Sequence, residues 1–347
     1  MSAEPKILQY LPIATAMRQA INLAKKGPIA NPNPRVGAVI LDGNGNVIGE
    51  GWHKGAGTPH AEVAALHDAA AKGNNVTGGT IVVTLEPCNH QGFTGPCAQA
   101  ISNAGLKKVV YAVKDPGAAS GGGAETLKAD KIEVQHLPNK KAEKLIRVWR
   151  RAIELDRPYV TLKLATTLDG KVAAADGTSQ WITGAASREH AHQFRAKVGA
   201  IAVTTGTALA DDPTLTARAV NGKLLENQPL AVIVGNRDIP VNAKARTSPG
   251  GFLHLRTHDV AAVLAALNAK GIRHVLIEGG PALTSAFLAA GYVDEIHAYI
   301  APKLLGDGKS AVAPFEVETL ADAPEFHTVA VKKLGEDAFL LARKSVG

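Results

Sequence analysis

The stretch VTLEPCNHQGFTGPC, residues 83–97, contains the only two cysteines of the 347-residue chain. Cys88 directly follows Pro87, and Cys97 opens a segment, residues 97–104, that predicts a helix ended by Gly105. Before the stretch, the β-branched run TIVVTL, residues 80–85, predicts a strand. Strands and helices alternate in both directions from here, which argues for a layered α/β domain.

Two cysteines are too few for a disulfide framework in a chain of this length. No apolar run reaches the ~18 residues needed to cross a bilayer, and the first 20 residues lack a signal-peptide pattern. We therefore expect a cytoplasmic protein. In a reducing cytosol, a metal-binding or catalytic role for the thiols is favoured over a single disulfide bridge.

The composition indicates a soluble α/β protein, with 46% hydrophobic and 4% aromatic residues. The formal net charge of +7 favours anionic partners, such as phosphorylated metabolites or nucleic acid. The alternative is that this modest charge serves only solubility.

The chain predicts two α/β domains, 1–155 and 156–347, because the amphipathic pattern of residues 140–155 ends near DRPYV and a new strand begins at Tyr159. Residues 115–123, DPGAASGGG, predict a flexible loop. Strands are predicted at 36–41, 47–52, 80–85, 108–113, 159–165, 200–205, 230–234 and 274–278. Helices are predicted at 11–26, 61–71, 97–104, 140–155, 187–198, 259–269 and 281–290.

A metal site is the chemistry that the two thiols and the segment PHAE, residues 59–62, indicate together. His60, Cys88 and Cys97 supply the three protein ligands of a catalytic zinc site, with a fourth position open to water. Glu62 lies too close in sequence to His60 to share the metal easily, so it suits proton transfer. The order H-x-E, then P-C, matches the zinc deaminase pattern, although the second cysteine comes nine residues after the first rather than three.

Simpler roles remain open for these residues. The two cysteines suit a buried apolar position, and His60 suits a helix cap. His90 is a rival ligand because it lies close to Cys88, whereas His67 is roughly 10 Å along the helix from His60.

With the opening stretch included, eight characteristic stretches occur along the chain in this order: NPNPRVGAVI (31–40), GEGWHKGAGTPHAEVAAL (49–66), VTLEPCNHQGFTGPC (83–97), LKLATTLDGKVA (162–173), SQWITG (179–184), LADDPTLTAR (209–218), IEGGPAL (277–283) and IAPKLLG (300–306). With them the chain, over residues 12–342, resembles the bifunctional riboflavin-biosynthesis deaminase/reductase family. The resemblance implies a cytidine-deaminase-like three-layer α/β/α domain followed by a dihydrofolate-reductase-like α/β domain. It also implies zinc, NADPH and the substrate 2,5-diamino-6-ribosylamino-4(3H)-pyrimidinone 5′-phosphate.

In the deaminase domain the resemblance assigns zinc to His60, Cys88 and Cys97 and the general acid/base role to Glu62. It assigns substrate contacts to Asn33 and His90, for which a turn role and a surface-loop role are the alternatives. The chain departs from the family at Phe93, where a basic residue is usual, at Gly95, and in the loop 117–123. These departures concern substrate recognition, for which Arg35, Lys107 or Lys108 are alternative cations.

In the reductase domain the resemblance assigns two groups of contacts. The substrate group is Lys163, Ser179, Arg195, Leu215, Arg218 and Glu278. The cofactor group is Ala165, Trp181, Thr207, Asp211, Gly280, Pro281, Ala282, Leu283, Thr284, Ser285 and Ala286.

The chemistry of several of these side chains suits the reaction. Arg195 and Arg218 suit a fork onto the substrate phosphate. Either Lys163 or Glu278 has the chemistry to polarise or protonate the opened sugar during reduction. The alternative for both residues is a buried ion pair without a catalytic role.

The residue types of the segment IEGGPAL, 277–283, also indicate a binding function without reference to the family. A strand, paired glycines and Pro281 at the first helical turn suit a diphosphate cradle, although the same pattern is common as architecture alone. Arg237 follows the strand 230–234, where the family often has an aspartate. We hypothesise that Arg237 faces the extra phosphate of NADPH.

Three other functions stay open at this stage. The chain suits a nucleoside or nucleic-acid deaminase with a degenerate second domain, although aromatic stacking residues are sparse. It also suits a non-catalytic zinc-stabilised binding protein, or a reductase with an altered deaminase domain because of Phe93. The sparse aromatic residues and the intact motifs of the second domain argue against a nucleic-acid partner, and we expect no membrane partner. Related enzymes suggest a homo-oligomer, either a dimer or a tetramer.

Overall fold

The computed structural model describes residues 4–91 and 95–345. The chain divides into two compact units, Met1–Leu155 and Asp156–Gly347. Within the described residues, each helix is too short or too polar to traverse a lipid bilayer.

In its described residues, the first unit contains a five-stranded mixed sheet and five helices. Its elements in chain order are α1 (Glu4–Ala24), β1 (Gly37–Leu41), β2 (Val47–Trp52), α2 (Ala61–Ala71), β3 (Thr80–Val83), α3 (Cys97–Asn103), β4 (Lys108–Tyr111), α4 (Gly123–Ala129), β5 (Glu133–His136) and α5 (Lys140–Glu154). The sheet order is β2-β1-β3-β4-β5. β1 runs antiparallel to β2 and β3, whereas β3, β4 and β5 are parallel.

Glycines bring the first two helices against this sheet. A Cβ atom at Gly37 would lie 2.0 Å from the carbonyl oxygen of Ala20 in α1, and one at Gly51 would lie 2.3 Å from that of Ala61 in α2. The apolar strand GAVIL of β1 is buried throughout its length. Because α2 packs so closely on the sheet, the first turn of α2, which contains Glu62, has a defined position relative to the end of β3.

The second unit is an eight-stranded sheet with a small two-stranded sheet and four α-helices. Its elements are β6 (Tyr159–Thr167), β7 (Lys171–Ala173), α6 (Ala185–Arg195), β8 (Ala200–Thr204), α7 (Thr205–Asp211), β9 (Leu230–Val234), β10 (Phe252–Leu255), α8 (Val260–Ala269), β11 (His274–Ile277), α9 (Pro281–Ala289), β12 (Glu295–Ala301), β13 (Lys309–Ser310), β14 (Phe326–Leu334) and β15 (Asp337–Lys344), with short 3₁₀ turns at Lys244–Thr247 and Leu320–Asp322.

The large sheet has the order β10-β9-β8-β11-β6-β12-β15-β14. The first six strands are parallel, and β15 and β14 continue antiparallel. Ligands of open parallel sheets bind beyond the carboxyl ends of the strands. Thr207, Arg237 and Glu278 follow β8, β9 and β11, which are neighbours, so all three lie at that edge.

The predicted helices and strands are present; three of them (47–52, 61–71 and 230–234) match at both ends, and the ends of the others shift by at most seven residues. The flexible loop predicted at 115–123 is wrong at its end, because Gly123 already begins α4. A Cβ atom at Gly123 would lie 1.9 Å from the carbonyl oxygen of Pro87, so glycine there serves close packing rather than flexibility. Sequence analysis did not predict the helices α4 and α7 or the strands β5, β7, β10 and β12 to β15.

Candidate functional sites

The three candidate metal ligands meet at one point of the first unit. His60 is the N-cap residue of α2, Cys97 is the first residue of α3, and Cys88 lies in the loop after β3. The Nδ1 atom of His60 is 3.4 Å from the sulfur of Cys88 and 3.3 Å from that of Cys97. All three ligand atoms lie within 4.8 Å of one another.

This donor set fits zinc. With Zn–S near 2.3 Å and Zn–N near 2.0–2.1 Å, tetrahedral coordination separates nitrogen and sulfur by about 3.6 Å. The observed separations of 3.3 and 3.4 Å are close to that value. One imidazole and two thiols leave a fourth position for a small ligand, as in catalytic zinc sites.

The two cysteines of the cluster differ in acidity. A hydrogen bond from the Cys97 thiol lowers the pKa of Cys88 to about 4. The Cys88 sulfur and burial raise the pKa of Cys97. Hydrogen bonding to Cys88 also raises the pKa of His60. The pocket thus already stabilises one thiolate, the form of cysteine that binds metal.

Glu62 stands beside the cluster without belonging to it. It lies in the first turn of α2 and is 4% exposed. Burial and the nearby Cys88 sulfur raise the pKa of its carboxyl group to about 7. A carboxyl group with such a pKa both accepts and releases a proton near neutral pH.

Asn33 is held beside the cluster by a histidine that sequence reasoning missed. The Nδ2 atom of Asn33 lies 3.1 Å from Nε2 of His53, which is 4% exposed. The His53 ring meets that of His60 edge-on at 5.3 Å. The only sequence signal was its place in GEGWHKGAGTPHAEV, seven residues before His60.

His90 also lies near the cluster, with its ring 6.4 Å from that of His60. Its Nδ1 atom is buried and has no hydrogen-bond partner among the described residues. Such an orphaned polar atom suits a contact to a bound molecule.

Glu86 anchors the loop that carries Cys88. Its buried carboxylate accepts hydrogen bonds from the backbone N–H groups of Asp115 and Ala124, at 3.2 and 3.1 Å. The N–H of Asn89 adds a bond to the carbonyl oxygen of Ser120 at 2.9 Å. The glycine-rich loop 115–123 therefore has a fixed attachment to the site.

Two positions at which the chain departs from the family pattern are Phe93 and Gly95. Phe93 lies outside the described residues, and Gly95 is exposed. Of the alternative cations, Arg35 donates a hydrogen bond to the carbonyl oxygen of Lys25, and Lys108 forms an ion pair with Glu133 at 2.8 Å.

The second unit contains a cavity of about 350 Å³ between the large sheet and α6. Its lining includes the predicted residues Lys163, Trp181, Arg195 and Arg218, together with Tyr299. The guanidinium of Arg188 lies 4.5 Å from the Trp181 ring, which is 62% exposed.

A largely buried charge triad lies at the cavity, which two of its members, Lys163 and Arg195, line. The strand register sets Leu162 opposite Ile277, so the next residues, Lys163 and Glu278, come level. The Lys163 Nζ atom is 3.8 Å from Glu278 Oε2. Arg195 contacts the same carboxylate through Nε at 2.8 Å and one Nη at 2.7 Å, and its other Nη donates to the Thr216 carbonyl oxygen at 3.1 Å.

Arg195, which was predicted to bind the substrate phosphate, contacts Glu278 in this structure and gives the carboxylate a partner in this buried position. Its contact with the substrate phosphate stays a prediction. Arg218, which lines the cavity, has no such ion pair among the described residues. The ion pair that sequence analysis left open for Lys163 and Glu278 is present.

The triad sets the protonation of its neighbours. Although burial opposes ionisation, Arg195 and Lys163 lower the pKa of Glu278 to about 2. Burial lowers the pKa of Lys163, an effect that Glu278 opposes. Burial and the two arginine cations, Arg195 and Arg218, lower the pKa of His192 to about 4.

The start of α9 fits a bound diphosphate. The packing of the fold requires a glycine at position 279, since a Cβ atom there would lie 2.7 Å from the Leu283 side chain. It does not require a glycine at position 280, because the neighbour closest to a Cβ atom there would be Thr207 Oγ1 at 3.8 Å. The Oγ1 atom of Thr284 is fully buried and without a partner among the described residues. A glycine with open space and an orphaned hydroxyl suit close approach by the NADPH diphosphate.

The remaining predicted residues of the second unit are scattered. Ser179 and Asp211 are exposed, and Leu215 is buried in the core with a φ of 53°. Ala165 is half-buried on β6, level with Tyr299. The side chain of Ser285 donates to the Ala313 carbonyl oxygen at 2.7 Å.

Within the same segment, Leu283 is buried, Pro281 occupies the first turn of α9, Ala282 is exposed and Ala286 is half-buried. Of the predicted cofactor residues in this segment, Ala282 is therefore open to a ligand, whereas the side chain of Leu283 is not.

Arg237 is exposed at the carboxyl edge of the sheet. A Cβ atom at Gly206 would lie 2.9 Å from its guanidinium, so this cation lies over the start of α7. The Oγ1 atom of Thr207, in the same turn, would lie 3.8 Å from a Cβ atom at Gly280. Arg237 is thus a neighbour of the predicted cofactor residues.

Both units match known families. The model of the cytidine and deoxycytidylate deaminase zinc-binding region matches residues 12–113, and that of the RibD C-terminal domain matches residues 158–340. The fold and sites define a bifunctional enzyme with a zinc-binding deaminase domain and a reductase domain that uses NADPH.

The same conclusion follows from whole-chain relatives. The riboflavin biosynthesis protein RibD of Mycobacterium tuberculosis is 45% identical over 89% of this chain and 90% of its own length. That of Escherichia coli is 37% identical over 93% and 97%. The solved structure of Acinetobacter baumannii RibD, form 2, superposes with a TM-score of 0.85 at 37% identity, covering 96% of this chain and 99% of its own.

The chain therefore belongs to the RibD family of riboflavin biosynthesis. The predicted fold class, cofactors and bifunctional activity are confirmed. A nucleic-acid deaminase with a degenerate second domain is not favoured.

Proposed function

We propose that residues 1–155 deaminate 2,5-diamino-6-ribosylamino-4(3H)-pyrimidinone 5′-phosphate and that residues 156–347 reduce the ribosyl group of the product to ribityl with NADPH. His60, Cys88 and Cys97 hold the zinc ion, and Glu62 is the catalytic acid/base. The observation that carries the proposal is the three-ligand cluster with a buried carboxyl group two residues beyond its histidine.

In the deamination, water replaces a ring amine, which leaves as ammonia. Bound zinc supplies the Lewis acidity that makes water nucleophilic near neutral pH. The Glu62 carboxylate takes a proton from the water and gives it to the leaving amine nitrogen. Asn33 and His90 flank the cluster and hold the pyrimidine.

In the reduction, NADPH supplies a hydride to the first carbon of the opened ribosyl group. Lys163 supplies the proton that completes the reduction, because Glu278 is ionised at neutral pH and has no proton to give. Arg195 keeps Glu278 ionised, and Arg218 contributes positive charge for the substrate phosphate.

The cofactor binds between α7 and α9. Ala165, Trp181, Thr207, Asp211 and the segment from Gly280 to Ala286 contact it, and Lys163, Ser179, Arg195, Leu215, Arg218 and Glu278 bind or orient the substrate. Leu215 and Arg195 act through backbone groups and the triad, respectively. A phosphorylated pyrimidine is the partner that the +7 charge favours over nucleic acid. We further propose a cytoplasmic homo-oligomer, either a dimer or a tetramer.

Elemental analysis of the purified protein tests the proposed metal site. We expect about one zinc ion per chain in the unmodified protein and in Glu62→Gln, and less than about a tenth of that in Cys97→Ala, which loses a thiolate ligand. The control is His67→Ala, an exposed histidine of α2 outside the cluster. Full zinc in Cys97→Ala, or none in the unmodified protein, would contradict the assignment.

A further inference from the structure

His53 is a buried polar residue for which the reaction so far has no use. It follows β2 and is 4% exposed. Both of its ring nitrogens have partners: Nδ1 lies 3.1 Å from the carbonyl oxygen of Pro59, and Nε2 lies 3.1 Å from Nδ2 of Asn33.

These two contacts determine the direction of each hydrogen bond. A carbonyl oxygen only accepts, so the proton of a neutral His53 ring lies on Nδ1 and is donated to Pro59. The Nε2 atom then only accepts, so the group facing it is the NH₂ of the Asn33 amide. The amide oxygen of Asn33 consequently points away from His53, and among the described residues it has no hydrogen-bond donor.

The backbone around Asn33 is held by other residues. The N–H of Asn33 donates to Oδ1 of Asn31 at 3.0 Å, and the indole Nε1 of Trp149 donates to the Pro32 carbonyl oxygen at 3.1 Å. With its backbone held, Asn33 can still rotate its side-chain amide, and the hydrogen bond to His53 prevents that rotation.

The same ring connects Asn33 to the metal cluster. Pro59 directly precedes His60, and the rings of His53 and His60 meet edge-on at 5.3 Å. Asn33 thus has a fixed position relative to the atoms that carry out the deamination. The proposed substrate has amine and hydroxyl groups that donate to a fixed amide oxygen, and a site built to accept such a bond discriminates against analogues that lack it.

We propose that His53 is a positioning residue of the deaminase site, which fixes the Asn33 amide with its oxygen turned to accept a hydrogen bond from an N–H or O–H of the pyrimidine substrate. This inference rests on the proposed deaminase function. It adds a residue to the site and gives Asn33 the role of an acceptor.

Two substitutions of His53 separate its two hydrogen bonds. His53→Asn places an amide N–H near the position of Nδ1 and retains the bond to Pro59, but loses the acceptor for Asn33. His53→Gln places an oxygen near the position of Nε2 and retains that acceptor. The matched control for a lost histidine is His67→Asn, at an exposed position of α2.

The readouts are kcat and KM for ammonia release, the dissociation constant of the diamino pyrimidine phosphate by calorimetry in a Glu62→Gln background that does not turn it over, and zinc content. For His53→Asn we expect this substrate to bind about tenfold more weakly, as for one lost hydrogen bond, with zinc retained. We expect His53→Gln to recover several-fold of this loss. In an Asn33→Ala background, His53→Asn should change affinity by less than about twofold, since its effect acts through Asn33.

The proposal is overturned if His53→Asn costs the same factor with and without Asn33, if Gln recovers nothing, or if affinity falls only in proportion to lost zinc. The last result would mean that His53 acts through His60. Absence of ammonia release from the unmodified protein would contradict the proposed function instead, while the affinity series would still decide the role of His53.

Discussion

The guanidinium of Arg195 and the carboxylate of Glu278 form a two-point ion pair, with contacts of 2.8 and 2.7 Å, in the wall of the reductase cavity. The pair joins α6 to the end of β11, and Lys163 approaches the same carboxylate from β6. Removing one member of a buried pair leaves its partner without compensation.

Glu278→Gln is therefore expected to destabilise the second unit by about 3 kcal/mol and to lower the reductase kcat. The neutral amide no longer balances Arg195, and it no longer favours the protonated form of Lys163. Denaturant unfolding and NADPH oxidation measure the two effects. Glu336→Gln is the control, because this carboxylate is 83% exposed and its pair with Lys333 is worth at most about 1 kcal/mol. Equal stability losses in both variants would contradict the buried pair.

The same pair predicts a pH dependence of stability. The pKa of Glu278 is lowered to about 2 in the folded protein, so its contribution is fully present above the ordinary value near 4.5. As pH falls from about 4.5 toward 2, the unfolded state takes up the proton first and the contribution is lost, by about 3 kcal/mol in total. Unfolding free energies measured across this range should converge for the unmodified protein and Glu278→Gln. A constant difference between them would argue against the shifted pKa.

Arg237→Gln should weaken the binding of NADP⁺ by about tenfold or more and leave the binding of NAD⁺ unchanged. The loss corresponds to one charge-assisted hydrogen bond to the additional phosphate. Calorimetric dissociation constants for both dinucleotides provide the measurement. The matched control is Arg256→Gln, a nearby exposed arginine that already pairs with Asp238. An unchanged ratio of the two constants in Arg237→Gln would end the hypothesis.

Gly280→Ala should separate cofactor binding from folding. The new methyl group has room in the protein, so stability should change by no more than about 1 kcal/mol. The methyl would stand between the backbone and the diphosphate, so NADP⁺ should bind at least about tenfold more weakly. The comparison is Gly279→Ala, whose Cβ atom would meet Leu283 at 2.7 Å and should cost about 1–3 kcal/mol of stability. Unchanged cofactor affinity in Gly280→Ala would place the diphosphate elsewhere.

Local sequence patterns predicted the first site well because its parts are tied to element ends. His60 and Glu62 begin α2, and Cys97 begins α3, so hydrophobic periodicity and motif spacing located them together. Sequence analysis missed His53 because a single histidine in a glycine-rich loop shows no periodicity. Its hydrogen-bond partners are determined by how α2 packs on β2, which the local sequence does not show.

The second site was harder to read because its contacts are distant in sequence. Arg195 meets Glu278 across 83 positions, and only the strand order brings β11 beside both β6 and β8. Residue types alone therefore suggested a phosphate for Arg195 and did not indicate its contact with the Glu278 carboxylate. In the same way, the glycines of 115–123 suggested flexibility, whereas Gly123 serves the close approach of α4 to Pro87.

Ammonia release and NADPH oxidation, followed separately in the unmodified protein and in Glu62→Gln, test the central claim most directly. Loss of the proton carrier should slow ammonia release by about 10²–10⁴-fold, while zinc stays bound and NADPH oxidation continues when the deaminated pyrimidine is supplied. Undiminished ammonia release from Glu62→Gln at full zinc occupancy would contradict the account.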